Sequence, residues 1–183
     1  MVRFQAQAAK IYLVGFMGAG KTSLGRQLAE RLVWPFEDLD ATIERKERSK
    51  ILRIFLEKGE AYFRDLECRA LAEAAAQPGR AIIASGGGAF CSPDNRAVMQ
   101  RTGITVWIDQ PFERIWSRRD ELSELRPLLR GEDDLRRLYD ERAPLYALST
   151  LHLTVGDRDL PDALEDLMRL LAGWCGSSSR SAS

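Results

Sequence analysis

Gly15-Phe16-Met17-Gly18-Ala19-Gly20-Lys21-Thr22 fits the pattern G-x-x-x-x-G-K-[ST]. Residues of these types at this spacing can cradle a chain of phosphates. The backbone must curl so that its N–H groups point inward, which calls for glycine where dihedrals are unusual or a ligand comes close. Lys21 has the reach to neutralise β- and γ-phosphates, and the Thr22 hydroxyl suits Mg²⁺. A helix starting there directs its positive end at the anion. Gly18, Ala19, Gly20, Lys21, Thr22 and Ser23 are therefore the expected nucleotide-binding residues, with ATP and Mg²⁺ as the expected ligands. The Asn-Lys-x-Asp base-reading motif of GTPases is absent, Asn95 being the sole asparagine. Asp109, after the apolar run Ile104–Ile108, has the form of an ATPase magnesium ligand. A turn-capping role before Pro111 is the simpler expectation.

Asp38-Leu39-Asp40 follows a second short apolar stretch. On extended backbone, residues two apart face the same way, so both carboxylates would look into one crevice. One could take the proton of an attacking hydroxyl and the other hold Mg²⁺ through water. Capping of the next helix by Asp40 is the competing reading. In Gly59–Glu67 (GEAYFRDLE), Arg64 stands four residues after Glu60 and three before Glu67. That spacing makes an exposed ion-pair ladder or an anion-binding guanidinium. Gly86-Gly87-Gly88 follows a third apolar run. Three adjacent glycines cost chain entropy, and close approach of a ligand to backbone would justify them.

The elements that must position these residues alternate. Ile11–Val14, Pro35–Asp38, Ala81–Ala84, Ile104–Ile108 and Leu151–Val155 read as strands. Thr22–Val33, Gly59–Ala76, Pro93–Gln100, Glu132–Leu145 and Pro161–Gly173 read as helices, and Ala41–Glu57 as broken helix. Near-continuous apolar strands between helices predict an α/β fold with a parallel sheet covered on both faces. In such sheets ligands sit beyond the carboxyl ends of the strands, which is where the phosphate loop, the aspartate pair and the glycine run fall. Residues 1–175 are expected to form a single domain, and the small polar stretch 176–183 a disordered tail.

Composition narrows the function. Lys+Arg and Asp+Glu are both 27, so the formal net charge is zero, which argues against a nucleic-acid or membrane-surface partner. Only five of the basic residues are lysine, and an arginine excess suits planar recognition of carboxylates and phosphates. Cys68, Cys91 and Cys175 match no metal or redox spacing and read as free thiols in a reducing compartment. His152 is the only histidine and is expected to be structural. No apolar run reaches the ~20 residues that span a bilayer, and the expected location is cytoplasmic.

GFMGAGKT, the FEDLDATIE stretch Phe36–Glu44, GEAYFRDLE, ASGGGA at Ala84–Ala89, ELRPLL at Glu124–Leu129 and ERAPLY at Glu141–Tyr146 occur in this order. From about residue 10 to 172 their order and spacing resemble the shikimate kinase family. The resemblance implies a nucleoside-monophosphate-kinase-like P-loop fold: a five-stranded parallel sheet of order 2-3-1-4-5, helices on both faces, and a mobile lid at about 112–131. It implies transfer of the γ-phosphoryl of MgATP to the 3-hydroxyl of shikimate by a monomer. Lys21, Asp40 and Arg126 would be catalytic, with Asp40 as base and Arg126 as the lid arginine reaching the transferring phosphate. Asp38 would lie near Mg²⁺ with Thr22. Arg64, beside Glu67, and Arg142 would bind the substrate carboxylate, and Gly86, Gly87 and Gly88 would line the acceptor. Arg119 would stack on adenine, and Arg158 falls, by a loose match, on an adenine-side loop. Two other readings remain open: a related kinase acting on another polyol acid or cyclitol, and a P-loop ATPase or nucleotide-binding regulator. Two departures from the family pattern are the acidic lid segment Asp120–Glu124 and Ser149, where the family often has alanine.

Overall fold

The five apolar runs become one parallel sheet in a computed structural model that describes residues 10–118 and 131–178, with side chains through Trp174. The strands are β1 (Lys10–Val14), β2 (Phe36–Asp38), β3 (Ala81–Ala84), β4 (Gly103–Asp109) and β5 (Leu151–Thr154), in the order β2-β3-β1-β4-β5. All four pairings are parallel, with Ile11 opposite Ile82 on one side and Ile104 on the other.

Side chains alternate across β1, and both faces are buried. Ile11 and Leu13 join Leu24, Leu28, Ile82, Val106, Leu167 and Leu171 in one core. This face is covered by α1 (Lys21–Leu32) and α7 (Leu160–Ser178). Tyr12 and Val14 join Phe63, Leu71, Ile83, Phe90, Met99 and Ile115 in the other. Here the cover is α2 (Leu39–Glu47), α3 (Ile51–Ala76), α4 (Pro93–Thr102), α5 (Phe112–Ser117) and α6 (Glu132–Tyr146). A central strand flanked by two cores has no polar face, which is why β1 reads as an unbroken apolar run.

Two local outcomes differ from the sequence expectations, and one agrees with them. The chain turns helical at Leu39, two residues before Ala41, because the Asp38 carboxylate accepts the Ala41 N–H at 3.2 Å and caps α2. Asp38, the extended last residue of β2, is thus the cap, while Asp40 lies in the first helical turn, so the two do not share one extended stretch. The expected break is there: α2 ends at Glu47 and α3 begins at Ile51, and Gly59, with a φ of 83°, interrupts α3 where the longer helix was expected to start. The last helix runs through Ser178, three residues into the stretch expected as a tail. Most of the expected lid, including Arg119, Arg126 and the Asp120–Glu124 segment, lies outside the described residues, as do residues 179–183. Among the described residues no helix is long and apolar enough to cross a membrane.

Candidate active site

Beyond the carboxyl ends of β1, β2 and β3 the chain builds one cavity of about 670 Å³, whose wall includes Lys21, Thr22, Asp38, Asp40, Arg64 and Arg142. Its floor is the turn after β1. Gly15 leaves the strand at φ 137°, and a Cβ there would stand 2.6 Å from the Ile108 carbonyl oxygen. Only glycine lets the turn pass so close to β4. Gly18 and Gly20 also have positive φ, and Gly20 caps α1. The helix therefore begins at Lys21 with its N–H groups free at the loop.

Lys21 is 8% exposed, and its Nζ donates to the carbonyls of Gly15 at 2.9 Å and Phe16 at 2.8 Å. Burial pushes its ammonium down to about 8, against the opposing pull of Asp40 and Asp38. The Thr22 hydroxyl donates to Asp38 Oδ2 at 2.6 Å. A hydroxyl and a carboxylate are thus in contact at the mouth of the loop, the hard oxygen donors that Mg²⁺ takes.

Asp40 is partly exposed, but its Oδ1 is buried and has no hydrogen-bond partner among the described residues. Burial, then the neighbouring carboxylates of Glu67 and Asp38, push its carboxyl up to about 7. Glu67 Oε1 is the second unpartnered carboxylate oxygen here. Both oxygens crowd the same point: a Cβ on Gly86 would lie 2.5 Å from Glu67 Oε1 and 2.7 Å from Asp40 Oδ1. Gly87 packs on the Met17 amide nitrogen, which a Cβ would approach to 3.2 Å. None of the glycines in the run Gly86–Gly88 has positive φ. Close approach, rather than backbone freedom, accounts for the run.

Arg64 stands between the ladder and the cavity. It pairs with Glu60 at 3.0 Å and with Glu67, forming the predicted ladder, and it also faces the cavity. Glu67 is only 2% exposed, so this rung is a desolvated pair rather than a surface one. Arg142, on α6, lines the same cavity beside the glycine run, with its Nη1 3.8 Å from where a Cβ on Gly87 would stand and its guanidinium 6.0 Å from the Phe16 ring.

A second cavity, of about 270 Å³, opens on the other side of the loop at Ala19, Gly20 and Ser23, and Arg158 contributes to it. Arg158 reaches Asp166 Oδ2 at 3.1 Å and the Thr154 carbonyl. Asp109 points elsewhere. Its Oδ2 is 2.9 Å from His152 Nε2, and the His152 ring stacks on Trp107 at 4.3 Å. The lone histidine and the strand-end aspartate therefore hold each other at the β4–β5 edge.

Sequence reasoning missed three participants. Glu67 was legible only as a ladder rung, since burial depends on how α3 packs. The Tyr146 hydroxyl donates to the Gly87 carbonyl and braces the glycine turn from α6. Gln110 lines the second cavity; its position just past a strand end was the available signal.

Comparison with known proteins gives a single answer. A family model described as shikimate kinase matches residues 17–171. The chain is similar to the shikimate kinase of Novosphingobium aromaticivorans, 39% identical over 170 residues that cover 90% of this chain and 88% of that one. It is 37% identical over 172 residues to the shikimate kinase of Nitratidesulfovibrio vulgaris, covering 91% and 98% respectively. Among solved structures it is similar to shikimate kinase from Acinetobacter baumannii in complex with shikimate. That match has a TM-score of 0.84 at 36% identity and covers 91% of this chain and 94% of that one.

Proposed function

We infer that this chain, which belongs to the shikimate kinase family, transfers the γ-phosphoryl of ATP to the 3-hydroxyl of shikimate, as one domain over residues 1–175. One observation carries the reading: a phosphate loop, a carboxylate with a raised pKa and two arginines from different helices share a single cavity. Phosphoryl transfer asks mainly for positioning and charge neutralisation, and each part of the wall supplies a piece of that.

Lys21 and the α1 N-terminus hold the β- and γ-phosphates. Thr22 and Asp38 are the residues that would hold Mg²⁺, which when bound offsets phosphate charge. Arg64 and Arg142 grip the shikimate carboxylate and so fix which hydroxyl faces the phosphate. Asp40 takes the proton from that hydroxyl, and a carboxyl near 7 is matched to the task at neutral pH. Gly86, Gly87 and Gly88 let the acceptor approach the turn. Arg158 serves the nucleoside side with Ser23, Ala19, Gly20 and Gly18. Arg126 and Arg119, outside the described residues, complete the proposal at the transferring phosphate and the adenine. The balanced charge argues against a nucleic-acid partner, and the proposal extends to a monomeric, cytoplasmic enzyme on the family resemblance.

The test is coupled ADP release from MgATP with and without shikimate. A rate that rises strongly with shikimate is expected; equal rates would remove the reading in favour of a plain ATPase.

Arg64→Ala separates its two roles. Truncating one partner of a desolvated charge pair costs about 2–5 kcal/mol, so KM for shikimate should rise at least about 30-fold. The variant should also lose stability, because the Glu67 carboxylate is left buried without its cation. Adding Glu67→Gln should recover melting temperature but not KM. A double variant with normal KM would confine Arg64 to the ladder.

A further inference from the structure

Arg142 and Tyr146 stand four residues apart on α6, and so on one face of it. Arg142 lines the first cavity. Tyr146 lies behind that wall, 1% exposed in the core, with its ring 6.1 Å from that of Trp107. Packing fixes the ring, and the ring fixes where its hydroxyl ends. The hydroxyl donates to the Gly87 carbonyl, and the Arg142 guanidinium and the Cys91 thiol also face it. Burial raises the phenol above its ordinary value, so it keeps its proton and stays a donor at neutral pH.

The Gly87 carbonyl belongs to the peptide that joins Gly87 to Gly88, and both residues line the cavity. A planar trans peptide carries its N–H opposite to its C=O. Holding the carbonyl on Tyr146 therefore turns the Gly88 N–H to the side away from Tyr146. The same short turn touches both cavity arginines. A Cβ on Gly87 would stand 3.8 Å from Arg142 Nη1, and Arg64 Nη1 leaves no room for a Cβ on Gly88. Close approach thus demands glycine here, and glycine gives the turn no stiffness of its own. The stiffness has to come from outside, and the Tyr146 hydroxyl supplies it from a packed helix.

We propose that Tyr146 is a positioning residue for the acceptor: its hydroxyl locks the Gly87–Gly88 peptide and the Arg142 guanidinium into one arrangement that takes a carboxylate. Two donors from different segments then meet the ligand already oriented, which is where positioning lowers the cost of binding. The inference rests on the shikimate kinase reading for the identity of the acceptor, and it extends that reading to a side chain that touches no substrate.

Tyr146→Phe removes one oxygen and keeps the ring. In the variant KM for shikimate should rise by about tenfold, the scale of one buried hydrogen bond. KM for ATP should stay within about twofold, and kcat should fall by less than KM rises. A merely structural tyrosine would lower the melting temperature and leave the shikimate KM alone, or weaken both substrates equally, and either result overturns the proposal. A second measurement needs no variant to fold. In the wild-type protein, shikimate without nucleotide should slow amide exchange at Gly88 by about tenfold or more. No slowing there means that the peptide held by Tyr146 does not meet the acceptor, and the proposal fails. Failure of the kinase reading looks different: wild-type ADP release that ignores shikimate removes the acceptor itself. Intact stimulation by shikimate, with an unchanged KM in the variant, removes only the role of Tyr146.

Discussion

Replacing Asp40 by asparagine should lower kcat by about 10²–10⁴-fold, the usual contribution of a positioned general base, while making the metal-free protein more stable above neutral pH. The second effect follows from where the carboxyl sits. Its ordinary value is 3.8, and burial with the nearby Glu67 and Asp38 carboxylates raises it to about 7. The folded state therefore favours the protonated form. The stability linked to that proton is fully present below about 3.8 and is lost progressively as pH rises through about 7. At pH 8 the wild-type protein carries an ionised carboxylate whose Oδ1 has no partner. Asparagine cannot ionise, so the stability difference in its favour should widen from about pH 5 to pH 8.

A tenfold difference in proton affinity between the folded and unfolded chain is worth about 1.4 kcal/mol, and partial exposure of Asp40 reduces the return to about 1–3 kcal/mol. Thermal melts of both proteins across that pH range, beside steady-state rates, make the check. An asparagine variant less stable at pH 8, or one with near-normal kcat, contradicts the assignment.

Lys21→Ala should be as damaging for a different reason. The ammonium is the described cation inside the loop itself, and it bonds two loop carbonyls. Removing it leaves the transferring phosphate without its nearest charge and the Gly15 and Phe16 carbonyls without their donor. Losing one desolvated charge partner costs about 2–5 kcal/mol or more, so kcat/KM should fall by about 10²–10⁴-fold. Nucleotide binding reports the same loss independently. ATP should raise the melting temperature of the wild-type protein, and that rise should shrink or vanish in the variant. A variant that keeps both its ATP-induced stabilisation and its rate would place the phosphates elsewhere.

Gly15–Thr22 was readable in the sequence because the loop is a contiguous segment whose glycine and lysine needs are met locally. The parallel sheet was readable for a related reason. Burial of β1 on both faces favours apolar residues at successive positions, and Ile11–Val14 shows it without reference to partners. The strand order came from the resemblance alone, since no local pattern says that β1 lies between β3 and β4.

The acceptor side was only half legible. The aspartate pair was visible, but its geometry was not. The Asp38 carboxylate gains a backbone N–H by starting α2 early, and that local bond overrides the extended spacing that would have turned both carboxylates the same way. Arg64 was visible with two alternative uses, and packing leaves it both in the ladder and on the cavity wall.

Taken alone, the sequence determined which chemical groups the chain owns and that they follow strand ends: a phosphate loop, a pair of aspartates, a glycine run and scattered arginines. Local constraints on dihedrals and burial are written in adjacent residues, so they survive in one dimension. Tertiary structure alone decided that Glu67 is buried and lies against Gly86, that Tyr146 braces Gly87, that Asp109 turns to His152, and that Gln110 bonds the Gly156 carbonyl. Each depends on distant segments meeting, and all but the exposed Asp109–His152 contact meet in a low-dielectric space. There the cost of an unpaired charge or dipole is large, and it is set by neighbours that no spacing records.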